Sequence, residues 1–254
     1  MFFARNVNHH NNYGYKYTKQ KQASCFILAS MKILVVAATR EEVGILVDSC
    51  QLTVVSAHKS FQATDNRQHA TDVLITGVGM VATAYALGSH LATHQYDLAI
   101  NLGIAGSFDR NIPLGTVVDV TQDTFTELGA EDDSRFITLD ALGFGQTQFT
   151  ATAKLADYYT GEQPWQVTAA TVNTVHGEDA SIAKLHVRAT PQLESMEGAA
   201  FFYACQQAGV PALQIRAVSN YVEKRNRDAW KIGLAVKNLN IFAEQLLRDL
   251  ESGD

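Results

Sequence analysis

No apolar run in the chain approaches the roughly 20 residues needed to cross a bilayer as a helix, which argues against a membrane-spanning protein. Lysine and arginine form no stripe interleaved with aromatics, and the formal net charge is -6. Phosphate binding needs clustered cations, so nucleic acid is not the expected partner. Cysteine is scarce: Cys25, Cys50 and Cys205 are odd in number, far apart and without metal-type spacing. Reduced thiols in a cytoplasmic protein are the simplest reading. Acidic residues are missing altogether from residues 1–30, a basic stretch rich in Asn, His and Tyr. A secretory signal would need an apolar core of about 7–15 residues after its charges, but residues 23–30 are too few and interrupted by Ser24. Met31 then opens an apolar strand at once. Residues 1–30 are therefore expected to be a disordered or upstream-start extension outside the fold.

What is present is a globular composition, 46% hydrophobic and 18% charged over 254 residues. That supports one α/β domain over residues 31–254 with a full core. Residues 33–38 (ILVVAA), 73–76 and 98–102 are short apolar runs suited to strands buried on both faces. Residues 117–120, 168–172 and 212–218 are further strand candidates. Helical patterns lie between them: from Val43, with Thr39 and Glu42 as a capping box, then over 81–94, 198–208 and 228–250. Gly209 and Pro211 close the third of these. Strands alternating with helices predict a three-layer αβα fold around a mostly parallel, mixed sheet. Ligands in such sheets sit beyond the carboxyl ends of the strands.

The polar residues of interest cluster there. Thr76-Gly77-Val78-Gly79 and Gly103-Ile104-Ala105-Gly106-Ser107 read as small-residue turns at strand ends, either plain turns or places where backbone N–H groups approach a ligand. GVGMV lacks the third glycine of a dinucleotide fingerprint, and no GxxxxGK[ST] occurs. Glu197, in Glu194-Ser195-Met196-Glu197-Gly198, falls at a helix start. The helix dipole alone would favour a carboxylate there; it could also clamp the two hydroxyls of a cis-diol and face a cationic sugar, with Met196 as a soft apolar surface for the ring. Asn220 follows the strand at 212–218 and either makes a turn or donates to one atom and accepts from its neighbour. The second option matches a 6-oxopurine through O6 and N7–H.

Together these segments resemble the nucleoside phosphorylase/nucleosidase superfamily over nearly all of residues 31–254. MKILVVAATREEV is similar to the opening of the methylthioadenosine/S-adenosylhomocysteine nucleosidases, and the resemblance makes Glu42 the water-activating base. TGVGMV and GIAGS match the two glycine turns of that superfamily, with Thr76, Gly77, Gly79, Ala105 and Gly106 as substrate contacts. ESMEGAA matches its ribose clamp, Met196 and Glu197, beside Ser195. The catalytic aspartate of the adenine-specific members is replaced here by Asn220, next to Ser219. The combination TVNTVHG, ESMEGAAFF and IRAVSNYVEKRNRDAW is most similar to the futalosine hydrolase family, which serves an alternative menaquinone pathway. That resemblance implies cleavage of futalosine to hypoxanthine and dehypoxanthine futalosine, with Asn173 and Thr174 lining the base or tail. It implies no metal and no cofactor, a small-molecule nucleoside as partner, and a homo-oligomer. Arg135, Lys224, Arg225 and Arg227 are candidate partners for the substrate carboxylate, or simply a solvated charge run. His176-Gly177-Glu178-Asp179 has no zinc or EF-hand spacing and fits ordinary helix-start capping. The phosphate loop of the phosphorylases, of the form GDPxRA, is absent after the first strand, where Arg40 is the nearby cation. Alternatives within the superfamily are a purine nucleoside phosphorylase or a methylthioadenosine-type nucleosidase. Outside enzymology the alternative is a silent nucleoside-binding protein.

Overall fold

The computed structural model describes residues 31–56 and 71–252; the expected extension at 1–30 lies outside the described residues. In chain order the first half contains β1 (Ile33–Ala37), α1 (Arg40–Ser49), β2 (Thr53–Ser56), β3 (Thr71–Ile75), α2 (Met80–Leu91), β4 (Leu98–Ser107) and β5 (Val117–Phe125). The second half continues with β6 (Gly129–Asp132), β7 (Arg135–Thr138), β8 (Gln148–Thr150), β9 (Trp165–Thr171), α3 (Asp179–Arg188), β10 (Leu193–Ser195), α4 (Gly198–Ala208), β11 (Ala212–Tyr221) and α5 (Ile232–Ser252). No helix among the described residues is long and apolar enough to cross a membrane.

Nine strands form one mixed sheet, in the order β10-β9-β5-β11-β4-β1-β3-β2, with β8 added on β5. Most neighbours are parallel; β5 runs antiparallel to β11 and β8. The alternation within β1 shows why its sequence is apolar throughout. Ile33, Val35 and Ala37 pack with Val43, Leu46 and Val47 of α1 and with Leu239, Phe242 and Leu246 of α5. Leu34 and Val36 point the other way, to Ala86 and Leu87 of α2 and Phe201 and Phe202 of α4. A strand covered by helices on both faces has no polar side to show. The α/β class with helices on both faces agrees with the sequence reading.

One end of the sheet also closes on itself. β10 pairs antiparallel with β4, placing Leu193 opposite Ser107 and Glu194 opposite Gly106. β10, β9, β5, β11 and β4 thus make a ring. A separate apolar cluster draws on every one of these strands: Leu193, Val167, Ala169, Val118, Val120, Val218 and Ala105.

Two sequence expectations need correction, and both concern the site. Residues 103–107 are not a turn: β4 runs through them to Ser107. Their small side chains serve close approach of neighbouring groups rather than chain reversal. Asn220 does not follow its strand either; it lies inside β11, just past an irregularity in the register with β4 between Val218 and Asn220. Such a bulge inserts an extra residue, here Ser219, and re-aims the side chains around it.

Candidate active site

The site is assembled around the last residues of β4. Glu42, in the first turn of α1, is buried. Its Oε2 accepts from the N–H of Thr39 at 3.0 Å and its Oε1 from the N–H of Ile104 at 3.1 Å. The expected reciprocal contact of the capping box therefore also ties α1 to β4. Burial lifts the Glu42 carboxyl above the ordinary carboxylate range, against the opposing pull of the Arg216 guanidinium; nearby Glu197 pushes it further up.

Glu197 caps α4 from the other side. Its Oε1 accepts from the N–H of Gly79 at 3.0 Å and its Oε2 from the N–H of Met196 at 3.3 Å. Gly77 and Gly79 carry φ of 87° and 96°, values that favour glycine, so the turn after β3 can present that N–H to the carboxylate. Between the two glutamates stands Arg216, 1% exposed. Its Nη2 donates to Asn101 Oδ1 at 2.5 Å and lies 3.9 Å from Glu197 Oε2. Gly103 makes the arrangement possible: a Cβ there would fall 2.0 Å from Arg216 Nη1 and 3.0 Å from Glu42 Oε1.

Asn220 sits opposite Gly106, three residues further along β4. At roughly 3.3 Å per residue that is about 10 Å from Gly103. Its Oδ1 accepts from Ser219 Oγ at 2.8 Å and its Nδ2 donates to Tyr221 O at 3.1 Å; Ser219 Oγ also reaches Ala105 O at 3.2 Å. Thr76 is buried, within 3.3 Å of Thr83 Oγ1, and Ser195 Oγ accepts from the N–H of Gly198 at 3.4 Å. Met196 is half-buried beside Glu197. Asn173 is exposed, but it lines one cavity with Met80, Phe125, Glu127, Leu128 and Thr171. Thr174 is exposed. Glu42, Glu197, Gly79, Ala105, Gly106, Ser219 and Asn220 are thus joined through β4 and its neighbours.

The proposed carboxylate partners are not brought there as a group. Arg135 pairs with Asp132 on the β6–β7 hairpin, while Arg225 and Arg227 lie over the Trp230 ring at 5.1 and 5.8 Å. Lys184 and Arg188 of α3 instead line a cavity with His176, Thr126 and Glu127.

Sequence reasoning assigned no role to Arg216, Gln214 or Asp123. Gln214 Nε2 donates to Asp123 Oδ2 at 2.9 Å, Thr171 Oγ1 donates to Asp123 Oδ1 at 2.8 Å, and the N–H of Ala199 donates to Thr171 Oγ1 at 2.7 Å. This buried chain holds the first turn of α4 directly behind Glu197. Burial pushes the Asp123 carboxyl up to about 6. The signal was available: two polar residues at alternate positions of an apolar strand, ALQIRAV, point to one buried face.

A partly closed mixed sheet covered by helices, with buried carboxylates at the starts of α1 and α4, defines an α/β protein with a polar site at one end of its sheet. The S-adenosylhomocysteine nucleosidase of Streptococcus pyogenes, solved in complex with 5-methylthiotubericidin, superposes with a TM-score of 0.69 at 21% identity, covering 88% of this chain and 99% of that one. Residues 32–249 match the family model described as Phosphorylase superfamily. Futalosine hydrolase of Streptomyces coelicolor is 38% identical over 190 residues, 71% of this chain and 80% of the relative. Futalosine hydrolase of Acidothermus cellulolyticus is 32% identical over 217 residues, 83% and 88% of the two chains. The chain belongs to the phosphorylase superfamily and, within it, to the futalosine hydrolase family.

Proposed function

We propose that this chain hydrolyses the N-glycosidic bond of futalosine, releasing hypoxanthine and dehypoxanthine futalosine for menaquinone synthesis. The observation that carries the reading is the pair of buried carboxylates, Glu42 held by the N–H of Ile104 on β4 and Glu197 3.9 Å from the Arg216 guanidinium, with the Asn220 amide about 10 Å further along the sheet.

Cleavage of such a bond passes through an oxocarbenium-like state, as in other glycoside hydrolyses. Glu197, anchored by two backbone N–H groups, accepts from the 2′- and 3′-hydroxyls and stabilises the positive sugar. Met196 packs on the ribose. Glu42 takes the proton from attacking water, a contribution of order 10²–10⁴-fold. Its raised pKa makes it a stronger proton acceptor than an ordinary carboxylate, and the rate falls at low pH as the carboxylate is protonated. Arg216, 3.9 Å from Glu197 and opposing the effect of burial on Glu42, offsets part of the cost of burying the two carboxylates. Asn220, oriented by Ser219, accepts from N7–H and donates to O6 of hypoxanthine. An aspartate there would suit the N6 amine of adenine instead, which disfavours a methylthioadenosine substrate. The cavity containing Phe125, Leu128, Met80 and Asn173 receives the aromatic tail.

Phosphorolysis fits less well. Arg40, the cation after β1, is exposed and paired with Asp48 at 3.3 Å, and the buried Arg216 is committed to Asn101 and Glu197. Incubation of the purified chain with futalosine should release hypoxanthine at the same rate with and without phosphate, and inosine should be cleaved in preference to adenosine. Strict dependence on phosphate, or preference for adenosine, would refute the reading.

A homo-oligomer is part of the proposal. Val78, Val81 and Tyr85 expose apolar surface beside Gly79, where a second copy would cover the site; a single-chain mass by sedimentation would count against it. The free Cys50 and Cys205 fit a cytoplasmic location, which cell fractionation checks.

A further inference from the structure

Asn240 lies on α5 and is 1% exposed. Its surroundings are apolar: Leu239, Phe242 and Ala243 of α5 share one cluster with Val43, Leu46 and Val47 of α1. A buried amide is costly unless its polar atoms are bonded. Here Oδ1 accepts from the N–H of Leu46 at 2.8 Å, while Nδ2 donates to Glu42 O at 2.8 Å and to Val236 O at 2.7 Å. Glu42 and Leu46 stand one helical step apart, so in an α-helix the C=O of the first and the N–H of the second are each other's partners. The amide thus engages two groups that could satisfy one another. What it adds is a tie from α5 to the backbone of Glu42. The other end of the same residue is tied to β4, where Oε1 accepts from the N–H of Ile104 at 3.1 Å. α1 is ten residues long, and Glu42 sits in its first turn, where helices fray.

We infer that Asn240 is a positioning residue for the proton-accepting carboxylate of Glu42. The inference rests on the hydrolase reading above and adds to it a residue that acts through the base. A general base works only within hydrogen-bond reach of the water it deprotonates, about 2.6–3.2 Å. Displacement by about 1 Å can cost on the order of a hundredfold in rate. Asn240, 198 positions from Glu42 in sequence, fixes the first turn of α1 against α5 while Ile104 fixes the carboxylate. A leucine would fill the same space, and the freed groups of Glu42 and Leu46 would close on each other. Replacing a bonded polar group in this way is close to neutral for folding. Stability and catalysis should therefore part at this position.

The test is a double-mutant cycle. Asn240→Leu is made in the original chain and in Glu42→Gln, and each protein is assayed for hypoxanthine release from futalosine and for thermal unfolding. In the original chain kcat should fall about tenfold to a hundredfold with KM within about threefold, because the ribose and base contacts are untouched. Tm should hold or rise. In Glu42→Gln, whose base is already gone, the same substitution should change kcat by no more than about twofold, since two changes acting through one group do not add. Equal fractional losses in both backgrounds would make Asn240 a support for the whole site and overturn the inference. So would a kcat within about threefold of the original, too small for a displaced base. Should Asn240→Leu fail to fold, Asn240→Ala is read in kcat in the same two backgrounds. A chain that folds with neither substitution makes the amide a structural part and overturns the inference as well. If the unsubstituted chain releases no hypoxanthine, the hydrolase reading itself fails and takes the inference with it.

Discussion

Asn220 is the residue proposed to distinguish an oxopurine from adenine. Its amide is oriented by Ser219 Oγ at 2.8 Å, so the carbonyl oxygen is already accepting and the NH2 faces Tyr221 O. A carboxylate has acceptors and no donor, so Asn220→Asp places an acceptor opposite O6, which also only accepts. A mismatched or unmet buried polar group costs about 1–3 kcal/mol. The variant should therefore lose roughly tenfold to a hundredfold in kcat/KM on futalosine and inosine and gain on adenosine; unchanged selectivity would remove Asn220 from the base site. From the chain, Glu197 and Asn220 were singled out by their expected place at a helix start and after a strand, and Glu42 through the family resemblance; β11 in fact runs through Asn220. Arg216 was legible only in part: its alternation with Gln214 in ALQIRAV marks a buried polar face, but which groups it meets is known only from its neighbours across the sheet. Gly103 shows the same limit. Its role is to leave space for Arg216 Nη1, a side chain 113 positions away in sequence.

Elements carry these residues into place, and α4 is the most demanding of them. Gly198 begins it, and a Cβ there would lie 2.0 Å from Asp123 Oδ2 and 2.3 Å from Gln214 Oε1, both fully buried. Neither side chain can retreat without breaking the hydrogen bond that joins them. Gly198→Ala should therefore cost about 1–3 kcal/mol, the usual range for overpacking. At roughly 2–4 °C per kcal/mol for a chain of this size, Tm should drop by about 2–12 °C, with a raised KM as Glu197 shifts. A thermal melt unchanged within a degree would contradict the packing described here. Helices α1, α2 and α4 and the buried strands were legible because an apolar run or a 3.6-residue period is a local signal. β10 was not: three residues, LES, carry no period, and they form a strand only because β9 and β4 offer edges on either side. The continuation of β4 through GIAGS and of β11 through Asn220 was hidden for a related reason. Glycine and asparagine locally favour turns, and only pairing across the sheet overrides them.

At the scale of the whole molecule, closure of the sheet by β10 brings distant segments into one site. Glu194 and Glu197 flank Ser195 and Met196 at the end of β10, so the pairing of β10 with both β9 and β4 sets both carboxylates relative to Gly106 and Asn220. The α/β class and the alternation of elements could be read from the sequence, but ring closure depends on contacts between residues some 85 positions apart, such as Leu193 and Ser107. Glu42 enters from the opposite end of the chain and reaches the same strand through Ile104. On the proposed reading one nucleoside lies across β4, its sugar between Glu42 and Glu197 and its base at Asn220. Glu42→Gln tests it most directly, in a crystal grown with futalosine and in turnover measured on the same preparation. An intact nucleoside should be found with its 2′- and 3′-hydroxyls on Glu197 and O6 and N7 at Asn220, with kcat at least about a hundredfold below the original, as loss of a general base requires. Turnover above about a tenth of the original rate, or a base seated away from Asn220, would contradict it.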